Sequence, residues 1–338
     1  MFVVVGEALV DLVGQRGSRT LVAHPGGSPA NVALGLARLG DEVTLMTRLG
    51  RDALGEMVAA HLRAGGVHVE SGTDRSTSTS LAIATLAAGI ATYDFRIEWD
   101  IDALEPLPIE TRCLHTGSLA TALTPGSRNV EDLMEREQRR GRVTISYDPN
   151  VRPALLGSPH HARPGIERLV GLSDVVKVSD EDLLWLYPDR RDEDVAREWL
   201  GRGPALVVVT RGGRGVHAVT ANLELRRPAQ PIDLVDTVGA GDSFTSGLLD
   251  GLRRADLIGG SRRAALAAVD ESTLLSVVDA AALVAAITCS RPGADPPTRT
   301  EVDAAADTAR SSTTATAPLG GSRGIAPPGP ELEQGRQR

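Results

Sequence analysis

The run Asp236-Thr237-Val238-Gly239-Ala240-Gly241-Asp242-Ser243-Phe244 sets two glycines and an acid directly ahead of an apolar series. Phe244, Leu248, Leu249 and Leu252 continue it at helical spacing. That order predicts a glycine turn opening a helix, where unpaired N–H groups and the helix dipole converge and favour an anion. An acid inside such a spot would be a poor neighbour for a resting phosphate. It suits a base that takes the proton of a hydroxyl as its oxygen attacks that phosphate. The chemistry implied is phosphoryl transfer to an alcohol. The amides of Gly239, Ala240 and Gly241 would meet the transferring charge, and Asp242 would take the proton. An Asp that only caps a helix after a glycine turn is the competing reading.

Composition narrows the classes. A chain of 338 residues can bury a sizeable core in one large α/β domain. A formal net charge of −8 without a basic stripe argues against a nucleic-acid surface. Lys177 is the only lysine, and it does not follow a glycine as the lysine of a phosphate-binding P-loop must. Cys113 and Cys289 lie far apart in apolar segments and read as buried free thiols of a reducing compartment. The N-terminus enters an apolar strand with no leader pattern. The longest apolar run, residues 274–287, is shorter than a membrane span and is interrupted by Asp279. A soluble, cytoplasmic protein with no nucleic-acid or membrane partner is expected.

Short apolar runs alternate with amphipathic ones. Residues 2–5, 43–47, 143–147, 174–178 and 205–210 are predicted strands, and residues 28–39, 54–64 and 130–140 predicted helices. Ser28 is placed as the cap of the first helix, with Pro29 in its first turn. Such alternation predicts a mainly parallel central sheet flanked by helices on both faces. Residues 9–23 and 77–99 break it, having strand character without intervening helices. From about Thr298 the chain turns Ser-, Thr-, Ala-, Gly- and Pro-rich, which predicts a disordered tail over 298–338.

Five motifs, in order, carry a resemblance. GGSPAN at 26–31, DPNVR at 148–152, KVSDED at 177–182, VTRGGRG at 209–215 and DTVGAGDSF at 236–244 resemble the signature elements of the PfkB (ribokinase-like) carbohydrate kinases, and among them the fructokinases most. The resemblance covers roughly residues 1–300. It implies a ribokinase-like α/β fold over 1–297, with a small β-sheet lid from about 9–25 and 77–99 that closes over a sugar. It also implies ATP and Mg²⁺ as cofactors, and a homodimer paired through the lid edges.

The resemblance distributes roles along the chain. Asp11 stands where the family places an acid that accepts hydrogen bonds from sugar hydroxyls. Gly26 and Gly27 allow the sugar close to the backbone, and Asn31 offers both donors and an acceptor. Ser179 and Asp182 stand where the family usually has Asn and Glu. They keep oxygen ligands suited to a water-rich Mg²⁺, with Asp182 reaching it through water; the same residues also make a good helix start. Thr210, Gly212 and Gly215 resemble a nucleotide-binding element, and equally a glycine-turned hairpin. Cys289-Ser290-Arg291-Pro292-Gly293-Ala294 resembles the loop near the adenine pocket, with Asp236 beside a K⁺ site.

The expected reaction is ATP-dependent phosphorylation of a sugar hydroxymethyl group, with a fructokinase-like substrate. Tyr93-Asp94-Phe95-Arg96 and Arg152 resemble the Tyr/Arg pattern by which 2-keto-3-deoxygluconate kinases hold a carboxylate, which keeps that alternative open beside ribokinase and nucleoside kinase. An NAD-dependent dehydrogenase is disfavoured, because Phe244 fills the third glycine's place after Gly239-Ala240-Gly241. A non-catalytic sugar sensor on the same scaffold is the remaining rival.

Overall fold

Alternate residues of the central strands feed two cores. In β1 (Phe2–Val5), Phe2 and Val4 enter one apolar cluster, and Val3 and Val5 enter the other. Burial on both faces is why these strands read as continuous apolar runs instead of alternating ones. In the computed structural model, which describes residues 1–73, 77–87 and 90–315, the remaining strands follow in chain order. They are β2 (Leu9–Gln15), β3 (Val22–Gly26), β4 (Val43–Thr47), β5 (His68–Ser71), β6 (Leu81–Ala87), β7 (Ile90–Arg96) and β8 (Cys113–Gly117). Then come β9 (Thr144–Asp148), β10 (Val175–Ser179), β11 (Leu206–Thr210), β12 (Val216–Val219) and β13 (Glu224–Arg227).

Nine of these form one sheet in the order β13-β12-β11-β10-β9-β8-β1-β4-β5. It is parallel from β5 to β11, and the hairpin strands β12 and β13 close one edge antiparallel. From β1 the chain goes first to β4 and β5 on one side, then to β8 through β11 on the other. The carboxyl end of β1 is therefore a topological switch point, the place where open α/β sheets leave a crevice for ligands.

The helices in chain order are α1 (Ser28–Arg38), α2 (Ala53–Ala64), α3 (Gly126–Arg140), α4 (Pro153–Leu156), α5 (Pro159–Gly171) and α6 (Asp180–Leu186). They continue as α7 (Asp192–Leu200), α8 (Ala240–Arg254), α9 (Arg263–Ala267), α10 (Glu271–Cys289) and α11 (Arg299–Ala315). Helices α1, α8 and α10 line one core, and α3, α5, α6 and α7 the other. By length and composition α10, 19 residues with mean hydropathy 1.9, could cross a membrane, a span longer than the apolar run the sequence suggested. Here Leu274, Val277, Val278 and Ala281 are buried in the core, and Asp279 is paired with Arg227 of β13 at 2.8 Å. The expected free thiols are both buried.

The two stretches without helices pair with one another. β2 runs parallel to β6 and antiparallel to β3, and β7 closes a second, four-stranded sheet in the order β3-β2-β6-β7. At the other end of the chain, a disordered tail from residue 298 was expected. Residues 299–315 are instead helical, and the main compact unit runs to Val302. Val302 is buried against Leu39 and Val284, which accounts for an apolar residue in an otherwise polar segment. Residues 316–338, the rest of that expected tail, lie outside the described part. Residues 303–315 continue the helix as a separate unit.

Glu7, just past β1 at the switch point, is 3% exposed. Its Oε2 accepts the Ala120 N–H at 3.0 Å, bracing the turn in which Ser118 takes φ of +52°, a left-handed conformation costly for a residue with a Cβ. Burial pushes the Glu7 carboxyl up to about 7 against these hydrogen bonds.

Two outcomes follow for stability. A chain ended at residue 297 should melt lower than one ended at 315, and Val302→Ala alone should cost about 2 kcal/mol by denaturant titration. Because Glu7 binds its proton more tightly folded than unfolded, its contribution is fullest below about pH 4.5 and is lost as pH rises to about 7. Glu7→Gln should flatten the fall in stability over that window by about 3 kcal/mol, read from denaturant midpoints across pH. A slope equal to that of the parent chain would show that Glu7 does not carry it.

Candidate active site

Helix α8 begins at Gly239, whose φ of +74° lies in the left-handed region and which has no side-chain cap. A Cβ there would also lie 2.6 Å from that of Ala294, so glycine is needed both for conformation and for the approach of the 290–294 loop. Asp242 falls in the first turn, 8% exposed, and does not cap the helix. Its Oδ1 accepts a hydrogen bond from Ser28 Oγ at 2.6 Å, and its Oδ2 one from Asn31 Nδ2 at 2.8 Å. Burial raises the carboxyl above its ordinary value, opposed by Ser28, Asn31 and the Lys177 charge.

Those two donors come from the first turn of α1, one helical turn apart. Ser28 was expected to cap α1. The cap is instead Gly27, at φ of +105°, with no side-chain hydrogen bond, and the Ser28 hydroxyl is turned to Asp242. A Cβ on Gly27 would lie 2.5 Å from the Glu7 carbonyl oxygen, so this glycine lets α1 start directly against the switch point. The motif at 26–31 therefore does more than bring a ligand near the backbone: it holds the acid of the last motif, 211 residues away.

Asp11, on β2 opposite His24, reaches diagonally to Gly26 of β3, where a Cβ would come within 2.1 Å of its Oδ2. Among the described residues no donor meets that carboxylate. Burial raises its pKa, with Arg152 and His24 lowering it and the Asp242 charge raising it further. Asp11, Arg152 and Asp242 thus share one electrostatic neighbourhood. Arg152 precedes α4 and donates from Nη1 to Asn150 Oδ1 at 2.7 Å, which ties the guanidinium to its own loop. Arg96 stands apart on the edge strand β7. It is exposed, with Asp94 at 3.9 Å, and the side chain of Tyr93 lies outside the described part.

Ser179 and Asp182 form a capping box at the start of α6, the Ser179 Oγ accepting from Asp182 N at 3.0 Å. Asp182 Oδ1 also accepts the Val151 N–H at 2.9 Å, tying the KVSDED motif to DPNVR. Both of its carboxylate oxygens are thus engaged by backbone amides. Among the described residues no group of three or more His, Cys, Asp or Glu could hold a metal. Thr210 ends β11, and Gly212 (φ +51°) and Gly215 (φ +92°) turn the chain into β12, so the glycine-turned hairpin is real. Gly215 lies so close to the Arg227 carbonyl that a Cβ would stand 1.9 Å from it, whereas Gly212 faces open space. Asp236 accepts from Val238 N at 3.1 Å and Gly293 N at 2.8 Å, joining the two loops that flank Gly239.

The sequence reading gave no role here to Glu7 or to the Lys177–Asp148 pair, and gave Ser28 only that of a helix cap. Ser28 could have been found, since it lies three residues before Asn31 and so on the same helix face. The other two are long-range consequences of strand order that spacing does not encode.

With the geometry in place, similarity to known proteins is consistent throughout. Residues 1–301 match the model of the pfkB family carbohydrate kinases. A fructokinase of Rhizobium leguminosarum bv. trifolii is 32% identical over 267 residues, covering 76% of this chain and 81% of that protein. The crystal structure of a fructokinase with bound ATP from Xylella fastidiosa superposes with a TM-score of 0.80 at 26% identity, covering 91% of this chain and 98% of the other. A double-mutant fructokinase of Vibrio cholerae O395 with fructose, ADP and potassium ion bound gives 0.72 at 26% identity, over 90% and 97% of the two chains. The mainly parallel sheet with its smaller second sheet is the ribokinase-like fold these structures share, and this chain belongs to the pfkB family of carbohydrate kinases.

Proposed function

We propose that this chain phosphorylates the hydroxymethyl group of fructose with ATP in the cytoplasm, with Asp242 as the general base. The observation that carries the reading is the buried Asp242 carboxylate at the head of α8, oriented from both sides by Ser28 and Asn31 and directly beside the Gly239–Gly241 amides. Asp242 takes the proton of the sugar hydroxyl as its oxygen attacks the γ-phosphorus, and the bond to the β,γ-bridging oxygen breaks to leave ADP. The loop amides and the dipole of α8 meet the charge on the phosphoryl group in flight. Asn31, whose Nδ2 is spent on Asp242, keeps its carbonyl oxygen for a sugar hydroxyl, and Asp11 offers both of its oxygens.

Mg²⁺ fits this set of residues as an ion carried mainly by phosphates and water, which it prefers to a protein cage. Asp182, its oxygens already held by amides, would meet it through water, and Asp236 would neighbour a monovalent ion beside the 290–294 loop. When bound, magnesium neutralises charge on the nucleotide's phosphates. Ser179, Thr210, Gly212 and Gly215, at the carboxyl ends of β10 and β11, are the proposed nucleotide side.

Fructose is favoured over a carboxylated sugar by two features of the site. An Asp11 carboxylate with no donor of its own repels an anionic substrate. Of the two arginines that would clamp a carboxylate, Arg152 is tied to the Asn150 side chain and Arg96 lies exposed on the edge strand β7.

ADP release with MgATP across fructose, ribose, 2-keto-3-deoxygluconate and adenosine should show turnover on fructose. Asp242→Asn should lower kcat about 10²–10⁴-fold with both ligands still bound. Ser28→Ala and Asn31→Ala should each lower it about tenfold or more, the loss expected for one hydrogen bond to a charged group, and Asp11→Asn should mainly raise KM for the sugar. Full turnover by Asp242→Asn would remove it from the mechanism. Binding of ATP and sugar without turnover in the parent chain would turn the reading to a sensor.

A further inference from the structure

The chain's only lysine is buried under the catalytic loop. Lys177 sits on β10, 4% exposed, and its Nζ donates to Asp148 Oδ2 at 3.0 Å, with Asp148 itself 1% exposed. A Cβ built on Gly241 would stand 2.9 Å from the Lys177 Nζ, so the ammonium lies immediately behind the last glycine of the anion loop. Two observations, the ion pair with Asp148 and the closeness of the ammonium to Gly241, thus place one cation at one spot. The ionisable groups around it come from several elements: Asp148 from β9, Asp182 from α6, Asp242 from α8 and His115 from β8. One lysine serves three acids.

A buried ion pair is weak evidence for stability, since taking both charges out of water offsets much of their attraction. Its placement asks for another account. Burial works against the Lys177 charge, but Asp148 outweighs it, and Asp182 and Asp242 add to the effect, so the ammonium is held charged. His115, bonded to Ser146 at 3.0 Å, is driven down to about 4 by burial and stays neutral, leaving Lys177 the one cation among these groups.

We propose that Lys177 is a positioning residue for phosphoryl transfer: from behind Gly241 it keeps the Asp242 carboxylate anionic, and Asp148 clamps the ammonium in that place. The lysine touches neither substrate in this assignment and acts through Asp242 and the loop. The inference rests on Asp242 being the base, and the two fail by different signs.

The test is the pH dependence of kcat for fructose phosphorylation, whose acid limb reports ionisation of the base in the ternary complex. Lys177→Gln removes a cation near Asp242, so the limb should move to higher pH by about one unit. Asp148→Asn removes an anion and should move it to lower pH. Opposite shifts from the two halves of one ion pair are what a positioning charge requires. Lower melting temperatures with both limbs unmoved would make the pair purely structural and overturn the proposal. Each single variant leaves a buried charge unpaired and can fail to fold. The neutral double variant Lys177→Gln/Asp148→Asn then carries the test: a limb above that of the parent chain supports the proposal, and one at or below it refutes it. If Asp242→Asn turns over normally, the limb was never that of Asp242, and the base reading falls along with the inference built on it.

Discussion

A carboxylate can stay charged inside a protein only if its oxygens are given donors and its field is given a counter-charge. Asp242 is such a group, and much of the molecule is arranged around it. Its two oxygens are met by Ser28 and Asn31, and its counter-charge is Lys177. For those donors to reach it, the first turn of α1 must lie beside the first turn of α8. That brings two helix N-termini to one point, and their dipoles add to the stabilisation of negative charge there. The burial that makes the acid costly to ionise is also what makes it a stronger base than a carboxylate in water.

Strand order is what makes this meeting possible. From β1 the chain runs to β4 on one side and returns later to β8 on the other, so the carboxyl end of β1 opens a crevice. The small sheet is built from β2 and β3, inserted just after β1, and from β6 and β7, inserted after β5. Asp11 on β2 is therefore carried to the same crevice as Asp242, although 231 positions separate their numbers. Glu7 closes the floor by holding the turn at Ser118 and Ala120, a polar group that the crevice geometry forces into the interior.

The strands and helices were legible because their patterns are local. Residues 2–5 and 43–47 were placed to the residue, and residues 143–147, 174–178 and 205–210 to within one position at either end. β5, β8 and β13 escaped because polar residues interrupt their runs, among them His68 and Glu70, His115 and Thr116, and Glu224 and Arg226. The glycine turn opening a helix, with its acid in the first turn, was legible because it needs only neighbouring residues. The role of Ser28 was misread because a Ser before Pro at a helix start is, locally, a cap; only the arrival of Asp242 from a distant helix gives its hydroxyl a better partner. Val302 was hidden for the same kind of reason, an isolated apolar residue in a polar stretch that acquires meaning only beside Leu39 and Val284.

The motif at 177–182 shows how one short segment can carry a local and a long-range role. Its acids invite a metal, yet Asp182 spends both oxygens on the amides of Val151 and Ser179, and so works as a strut between two motifs. Its lysine, useless as a P-loop residue because no glycine precedes it, ends immediately behind Gly241, reached from strand β10. The arrangement then divides the charges by origin. On the proposed reading, the protein's share is fixed dipoles, one buried ammonium and a base, and the mobile positive charge would come with the nucleotide, whose phosphates and water would complete a magnesium shell. On that reading the site would acquire its full electrostatic complement only when both substrates are in place.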